Sequence, residues 1–469
     1  MQIHHISAEC YPVAKVGGLA DVVGALPKYQ REKGHDVKVF VPKYDTKFVQ
    51  KNTFEVIFVG SIQFGGMYYP FSVHVDKSNQ LGFELHLISI PGLFDRPNVY
   101  SYSDDTQRFF AFQLAYLSWV KYSGIYLPDV VHCHDHHTGL IPFMMKYTYM
   151  FNFLRQTPSI LTIHNAQYQG WMSKDLYHYF PTFNAADFGM LEWEGVINPL
   201  ASAIKCSWRF STVSSSYLEE IKYKANGLQD IIRAESYKAR GILNGIDVEV
   251  WNPATDAYLP YHFNKKTVKK EKFKNKAHLC KTFGLDPKKP LFAFIGRLVP
   301  DKGADIIAEI CYQAFAHYKD QLNIIVLGSG NDHVQNQLET VKQYYPDRFA
   351  NFTGYDESLA HLIYASADFL LMPSRVEPCG LNQMYALKYG TIPIVSRTGG
   401  LKDTILDIGD SGFGICHDHT SVSDVMHAIY RAIKLYEDTK FKDKIVQFIM
   451  DIDHSWEKVA DEYVDMYRF

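Results

Sequence analysis

Three cations stand where apolar runs give way to glycine: Lys15 in KVGGLADV, and Arg297 with Lys302 in GRLVPDKG. An arginine forks across two oxygens and a lysine acts as a mobile point charge, so Arg297 and Lys302 across one turn suit a pyrophosphate. Gly17 and Gly18 remove Cβ atoms that would block close approach, at a junction where the first N–H groups of a helix can face an anion. The same residues are compatible with a plain turn at Gly17 and an exposed basic loop at Lys302. Neither stretch is GxGxxG or GxxxxGK[ST], so the dinucleotide and P-loop fingerprints do not apply.

A second group could handle a sugar. In SRVEPCGLNQMYALKYG, Glu377 precedes Pro378, and Gly380 stands at the expected opening of a helix. A carboxylate there can accept hydrogen bonds from sugar hydroxyls, or it can simply cap the helix. No histidine is placed to activate Cys379, which argues against a nucleophilic role. HCHDHH, 132–137, has the look of a metal cluster but not the HExxH or paired CxxC spacing of one. It reads as a polar rim in which Asp135 and neighbouring histidines hydrogen-bond a sugar, with no metal. His164, before the helix-breaking Asn165 in TIHNAQYQG, is expected at the carboxyl lip of a strand, facing a ligand. Asn244, beside Gly245 in LNGID, falls at the expected crossing between domains, where a hinge turn is the alternative.

These residues need elements to hold them. QIHHISAE, HDVKVFVPKY, FELHLISI, PDVVHCH and SILTIHN are short apolar runs separated by helical patterns, among them Asp105 to Tyr122. The rhythm restarts with PLFAFIGRL, NIIVLGSG, FANFTGY, DFLLMPS and GTIPIVS. Strands alternating with helices imply parallel βαβ crossovers. The fold class is therefore α/β, with two doubly wound Rossmann-like domains and a ligand cleft between the carboxyl ends of their strands. The boundary falls near Gly245, giving residues 1–245 and 246–450. The connector KKTVKKEKFKNK, with seven lysines and one glutamate, is expected on a solvated surface.

Bulk properties remove whole classes of function. A chain of 469 residues exceeds one hydrophobic core, and 47% hydrophobic with 21% charged residues fits a globular protein. A formal charge of -3 gives no pull toward nucleic acid or anionic membrane. With no long apolar run and no basic leader, the expectation is a cytoplasmic protein. Seven cysteines without a CxxC pair read as reduced thiols.

Taken together, KVGGLADV, LFDRP (93–97), HCHDHH, TIHN, LNGID, GRLVPDKG, EPCGL, YALKYGTIPIV and RTGGLKDT resemble, in order and spacing, the bacterial glycogen and plant starch synthases. SWEKVADEYVDMY resembles that family's last helix, so 451–469 is expected to cross back onto the first domain. The resemblance implies a GT-B fold and transfer of glucose from ADP-glucose to the nonreducing 4-hydroxyl of an α-1,4-glucan, with retention and without cofactor or metal. It places Lys15, Gly17 and Gly18 beside the donor diphosphate, Arg297 and Lys302 on the same phosphates, and Glu377 on the glucose hydroxyls. His164, with Asp135, would support the sugar as positive charge builds on its ring. Asp21 would orient a hydroxyl, and Asn244, Cys379, Gly380, Leu381 and Asn382 would line the donor site. Tyr355 is a candidate stacking surface for the base.

Two positions depart from the family pattern. Val376 replaces a frequent aromatic, and Asn382 a frequent threonine or serine, which bears on any side-chain contact to phosphate at that turn. The alternatives are a related transferase using UDP-glucose and a noncatalytic glucan-binding protein. A glucan phosphorylase would need a pyridoxal-phosphate lysine, and no stretch of the chain supplies its motif.

Overall fold

The computed structural model describes residues 1–468 as two compact units, one made of Met1–Gly245 and the chain from Trp456 onward, the other of Ile246–Ser455. In the first, β1 (Gln2–Ile6), β2 (Asp36–Pro42), β3 (Glu55–Phe64), β4 (Met67–Val75), β5 (Glu84–Ser89), β6 (Val130–His134) and β7 (Ser159–Ile163) come first. A small ribbon of β8 (Glu192–Trp193) and β9 (Val196–Ile197) follows, then β10 (Arg209–Thr212) and β11 (Ala239–Gly241). The main sheet has the order β11-β10-β7-β6-β1-β2-β5-β4-β3. It is parallel from β11 to β5, and the edge pairs β5 with β4 and β4 with β3 are antiparallel.

That antiparallel edge is absent from the βαβ rhythm of the sequence. Its strands alternate exposed and buried residues around a Gly65–Gly66 turn, the signature of a hairpin with one solvated face. From β1 the chain builds outward through β2 and β5, then returns to place β6 on the other side of β1. The topological switch therefore lies between β1 and β6, and open sheets of this kind bind ligands beyond the strand ends at such a point.

Both faces of the sheet are covered. Ile6, Phe40, Trp119 and Phe143 belong to one buried cluster, whereas Ile3, Val22, Leu26, Trp456 and Tyr463 form the other. Helix Trp456–Tyr467 thus seals the second face, and each fully buried large apolar side chain contributes about 1.5–3 kcal/mol. The return to the first unit begins at Trp456, five residues later than the sequence suggested. Residues just before it still belong to the second unit, where the Ile246 N–H donates to the His454 carbonyl at 2.7 Å.

The second unit holds six parallel strands, β12 (Leu291–Ile295), β13 (Asn323–Gly328), β14 (Phe349–Thr353), β15 (Phe369–Met372), β16 (Ile392–Ser396) and β17 (Ile415–His417), ordered β14-β13-β12-β15-β16-β17. Its switch point lies between β12 and β15. The lysine-rich connector is only partly a solvated surface, because helix Val268–Phe283 turns two of its lysines inward. Lys272 Nζ donates to the carbonyls of Tyr364 and Tyr389 and to Thr391 Oγ1 at 2.9, 2.9 and 2.7 Å. One turn on, buried Lys276 pairs with Asp368 at 2.6 Å. Spacing of four residues puts both on one helix face, which composition alone does not reveal.

Candidate active site

Beyond the carboxyl end of β1, the loop to helix Gly18–Glu32 carries Lys15. Its ammonium group meets Asp21 at 2.7 Å and lies 5.3 Å from the Tyr11 ring centroid. Asp21 therefore positions Lys15, one turn into the helix, and the Gly17 N-cap has no side-chain cap of its own. Gly17 is extended, and a Cβ built there would meet nothing within 4 Å. The fold leaves room at this spot, so packing does not dictate the glycine.

Glu9 is a participant that sequence reasoning missed. Its buried carboxylate accepts from the N–H groups of Val16 and Gly17 at 2.6 and 2.9 Å and from the Tyr100 hydroxyl at 2.7 Å. Two amides of the expected anion cradle are thus already satisfied by the protein, and the loop owes its shape to Glu9. Burial pushes this carboxyl above its ordinary range. A lone glutamate ahead of a glycine pair offers no motif that would have singled it out.

Asp135 and His164 sit at the ends of β6, which pairs with β1, and of β7, the next strand along. Asp135 adopts φ 57°, unusual for a non-glycine residue, and its Oδ1 accepts the His164 N–H at 2.7 Å. Burial raises its pKa to about 7, against the opposing pull of the His164 and Asn165 backbone N–H groups. His164 is lowered to about 3 by burial and stays neutral.

The remaining histidines do not form a sugar-binding rim. His132 and His134 are fully buried and join His5 of β1, with ring nitrogens within 4.8 Å of one another. All six nitrogens are engaged: His5 with His134 and Gln30, His134 also with His164, and His132 with Tyr467 and Thr162. Their bonding makes a hydrogen-bonded chain. His136 and His137 pack as adjacent rings beyond the strand, with His137 stacked on Tyr100.

In the second unit the switch point assembles Arg297 and Lys302, after β12, with Glu377, after β15. Lys302 Nζ meets Glu377 Oε1 at 2.6 Å, and Ser374 Oγ donates to Glu377 Oε2 at 2.9 Å. Glu377 is buried, and Arg297 is exposed with no ion pair among the described residues. The helix after EPCGL begins at Asn382, two residues later than expected from Gly380. Gly380 has φ +76°, and its absent side chain leaves room for Gln383, whose Oε1 would lie 2.5 Å from a Cβ. Asn382 Nδ2 donates to the Ile295 carbonyl at 2.7 Å, so that side chain ties the turn to β12.

The family of starch synthase catalytic domains matches residues 2–234, and the family of group 1 glycosyl transferases matches residues 276–446. A glycogen synthase from Flavobacterium johnsoniae is 51% identical over 468 residues, covering 100% of this chain and 99% of that protein. The chain belongs to the glycogen and starch synthase family. The catalytic domain of starch synthase IV from Arabidopsis thaliana, solved with ADP and acarbose, is 34% identical with a TM-score of 0.90, covering 99% of this chain and 98% of that one. A sucrose-phosphate synthase from Thermosynechococcus elongatus shares the fold, with a TM-score of 0.63 at 16% identity over 100% of this chain and 98% of its own.

This family member is therefore a glycosyltransferase of the GT-B class, with two Rossmann-like units. Two further expected site residues are Tyr355 and Asn244. Tyr355 is 70% exposed in the turn after β14, its hydroxyl donating to Glu357 at 3.1 Å. Asn244 is buried near the end of the first unit, and its Oδ1 has no partner. Cys379 is buried and reduced like the other six cysteines. Among the described residues no helix is long and apolar enough to cross a membrane.

Proposed function

We propose that the enzyme transfers glucose from ADP-glucose to the nonreducing 4-hydroxyl of an α-1,4-glucan with retention of configuration, in the cytoplasm. The observation that carries this reading is the Lys302–Glu377 pair at the switch point of the second unit, with Arg297 exposed on the loop after β12 that also carries Lys302. A diphosphate needs the two cations, and a hexose needs the carboxylate. Lys302 uses one of its three donors on Glu377 and keeps two for phosphate oxygens. Glu377 in turn accepts from glucose hydroxyls.

Bond cleavage puts negative charge on the leaving phosphate and positive character on the sugar ring. Arg297, Lys302 and Lys15 stabilise the first by preorganised electrostatics, which cost no reorganisation when the bond breaks. The neutral His164 ring and the Asp135 carboxyl serve the second. The leaving phosphate assists deprotonation of the acceptor hydroxyl on the same face of the sugar, which accounts for retention. Asn382 contributes its backbone N–H, because its side chain is committed to Ile295. Gly17 lets the donor approach the Lys15 loop, and Tyr355 offers its exposed ring to the base.

The test is a comparison of donors. Purified protein given a short maltooligosaccharide should release ADP from ADP-glucose at an initial rate well above UDP release from UDP-glucose. A preference for UDP-glucose would overturn the donor assignment, and no turnover with either would overturn the enzymatic reading.

A further inference from the structure

The buried hydrogen-bonded chain behind His164 runs without a break through the sheet. His164 Nε2 meets His134 Nδ1 at 3.1 Å, His134 Nε2 meets His5 Nδ1 at 3.0 Å, and His5 Nε2 meets Gln30 Oε1 at 2.8 Å. From there Gln30 Nε2 donates to the Tyr467 hydroxyl at 3.0 Å, which meets His132 Nδ1 at 2.7 Å. His132 Nε2 reaches Thr162 Oγ1 at 2.7 Å, and Thr162 reaches Ser211 Oγ at 2.8 Å. His5, Gln30, His132, His134 and Thr162 all have no measurable exposure.

A neutral imidazole has one donor and one acceptor nitrogen, so the direction of one bond in such a chain dictates the rest. Burial holds all four imidazoles below their ordinary pKa. The Gln30 carbonyl oxygen can only accept. His5 must therefore carry its proton on Nε2 and accept at Nδ1, His134 must donate from Nε2, and His164 must donate from Nε2 in turn. The remaining nitrogen of His164, Nδ1, is left as a lone pair.

We propose that Gln30 is a positioning residue for His164: acting through His5 and His134, its amide fixes the Nε2-protonated tautomer and so makes Nδ1 of His164 a hydrogen-bond acceptor toward the sugar. This rests on the assignment of His164 to the reacting sugar made above. An acceptor takes a hydroxyl proton and turns the negative end of the ring dipole toward developing positive charge, whereas a donor would oppose it. Tyr467 holds the other end of the Gln30 amide by accepting from its NH2 group. The returning C-terminal helix therefore has a part in the chemistry besides sealing the sheet.

Replacing Gln30 by leucine removes the acceptor and orphans the His5 N–H. A buried orphan N–H is the rarer and costlier outcome, so the three rings should invert together and leave an unpaired acceptor instead. His164 would then present Nδ1–H.

The experiment is nitrogen-15 NMR of the full-length, histidine-labelled protein, with the His164 signals identified by their loss in His164→Asn. Wild type should show His164 protonated on Nε2, and Gln30→Leu should show it on Nδ1. Gln30→Leu should also lower kcat about tenfold, with the KM for ADP-glucose unchanged. His164 protonated on Nδ1 in wild type overturns the proposal without any variant, as does an unchanged tautomer in folded Gln30→Leu. Because the tautomer is read without turnover, failure of the proposed reaction would leave this result distinct. An inverted tautomer with unchanged kcat would overturn the link to catalysis.

Discussion

Lys302 and Glu377, 75 residues apart in the chain, meet at 2.6 Å where β12 and β15 end side by side. Removing one member of such a pair leaves the other with an uncompensated charge. Glu377→Gln keeps the shape and loses the charge, and should reduce kcat/KM by about a hundredfold or more, mostly in kcat. Lys302→Met removes a cation from the leaving phosphate and should lower kcat as well, with a rise in the KM for ADP-glucose that Glu377→Gln does not share. Steady-state kinetics with varied ADP-glucose separates the two, and an equal effect of both variants on KM alone would contradict the division of roles.

Asp21 and Lys15 form a half-exposed pair, with 24% and 30% of their side-chain surfaces accessible. Such pairs contribute under about 1 kcal/mol to stability. Asp21→Asn should therefore leave the thermal midpoint almost unchanged while raising the KM for ADP-glucose several-fold, because Lys15 loses the group that aims it.

The Asp135 carboxyl, raised to about 7, should appear in the pH–rate profile. As pH falls through 7 it takes up a proton and the negative charge that the proposed function sets beside the reacting sugar disappears, so activity should fall on the acid side. In Asp135→Asn the rate should be low and lack that inflection.

Stability should carry a histidine signature. His5, His86 and His164 are held at about 4, 3 and 3 by burial, below an unfolded value near 6.5. As pH drops through 6.5 the unfolded chain takes up protons that the native state refuses, so stability is full above 6.5 and lost progressively below it. Asp135 works in the opposite sense, its contribution being lost as pH rises from its unfolded value toward 7. The lowered histidines, which include His132, His134 and His136, outnumber the raised carboxyls of Asp135 and Glu9, so thermal midpoints measured from pH 7 to 5 should decline. A flat profile across that range would contradict the neutral state assigned to these rings.

Lys272 gathers three oxygen acceptors from Tyr364, Tyr389 and Thr391. Lys272→Met should cost about 2–4 kcal/mol in denaturant unfolding, whereas Lys270→Met, on the exposed side of the same helix, should cost under about 0.5 kcal/mol.

The alternation of apolar runs and helical patterns made the parallel sheets legible, because strand and helix periods differ and parallel crossovers demand helices; the strand orders that create the switch points were not. Arg297, Lys302 and Glu377 were legible for the same reason, each following a strand. The β3–β4 hairpin was not, since its solvated face breaks the apolar run. Glu9 was invisible because a lone glutamate ahead of a glycine pair forms no motif, and Gln30 because its partner Tyr467 is 437 residues away. The histidine run misled as a rim because β6 is a central strand buried on both faces, and alternation puts His132 and His134 together on one of them.

The most direct measurement is an anomeric assay. With ADP-glucose and a maltooligosaccharide, proton NMR should show one ADP formed for each new α-1,4 linkage, the donor's α configuration retained. A β linkage, or ADP released without elongation of the glucan, would contradict the account.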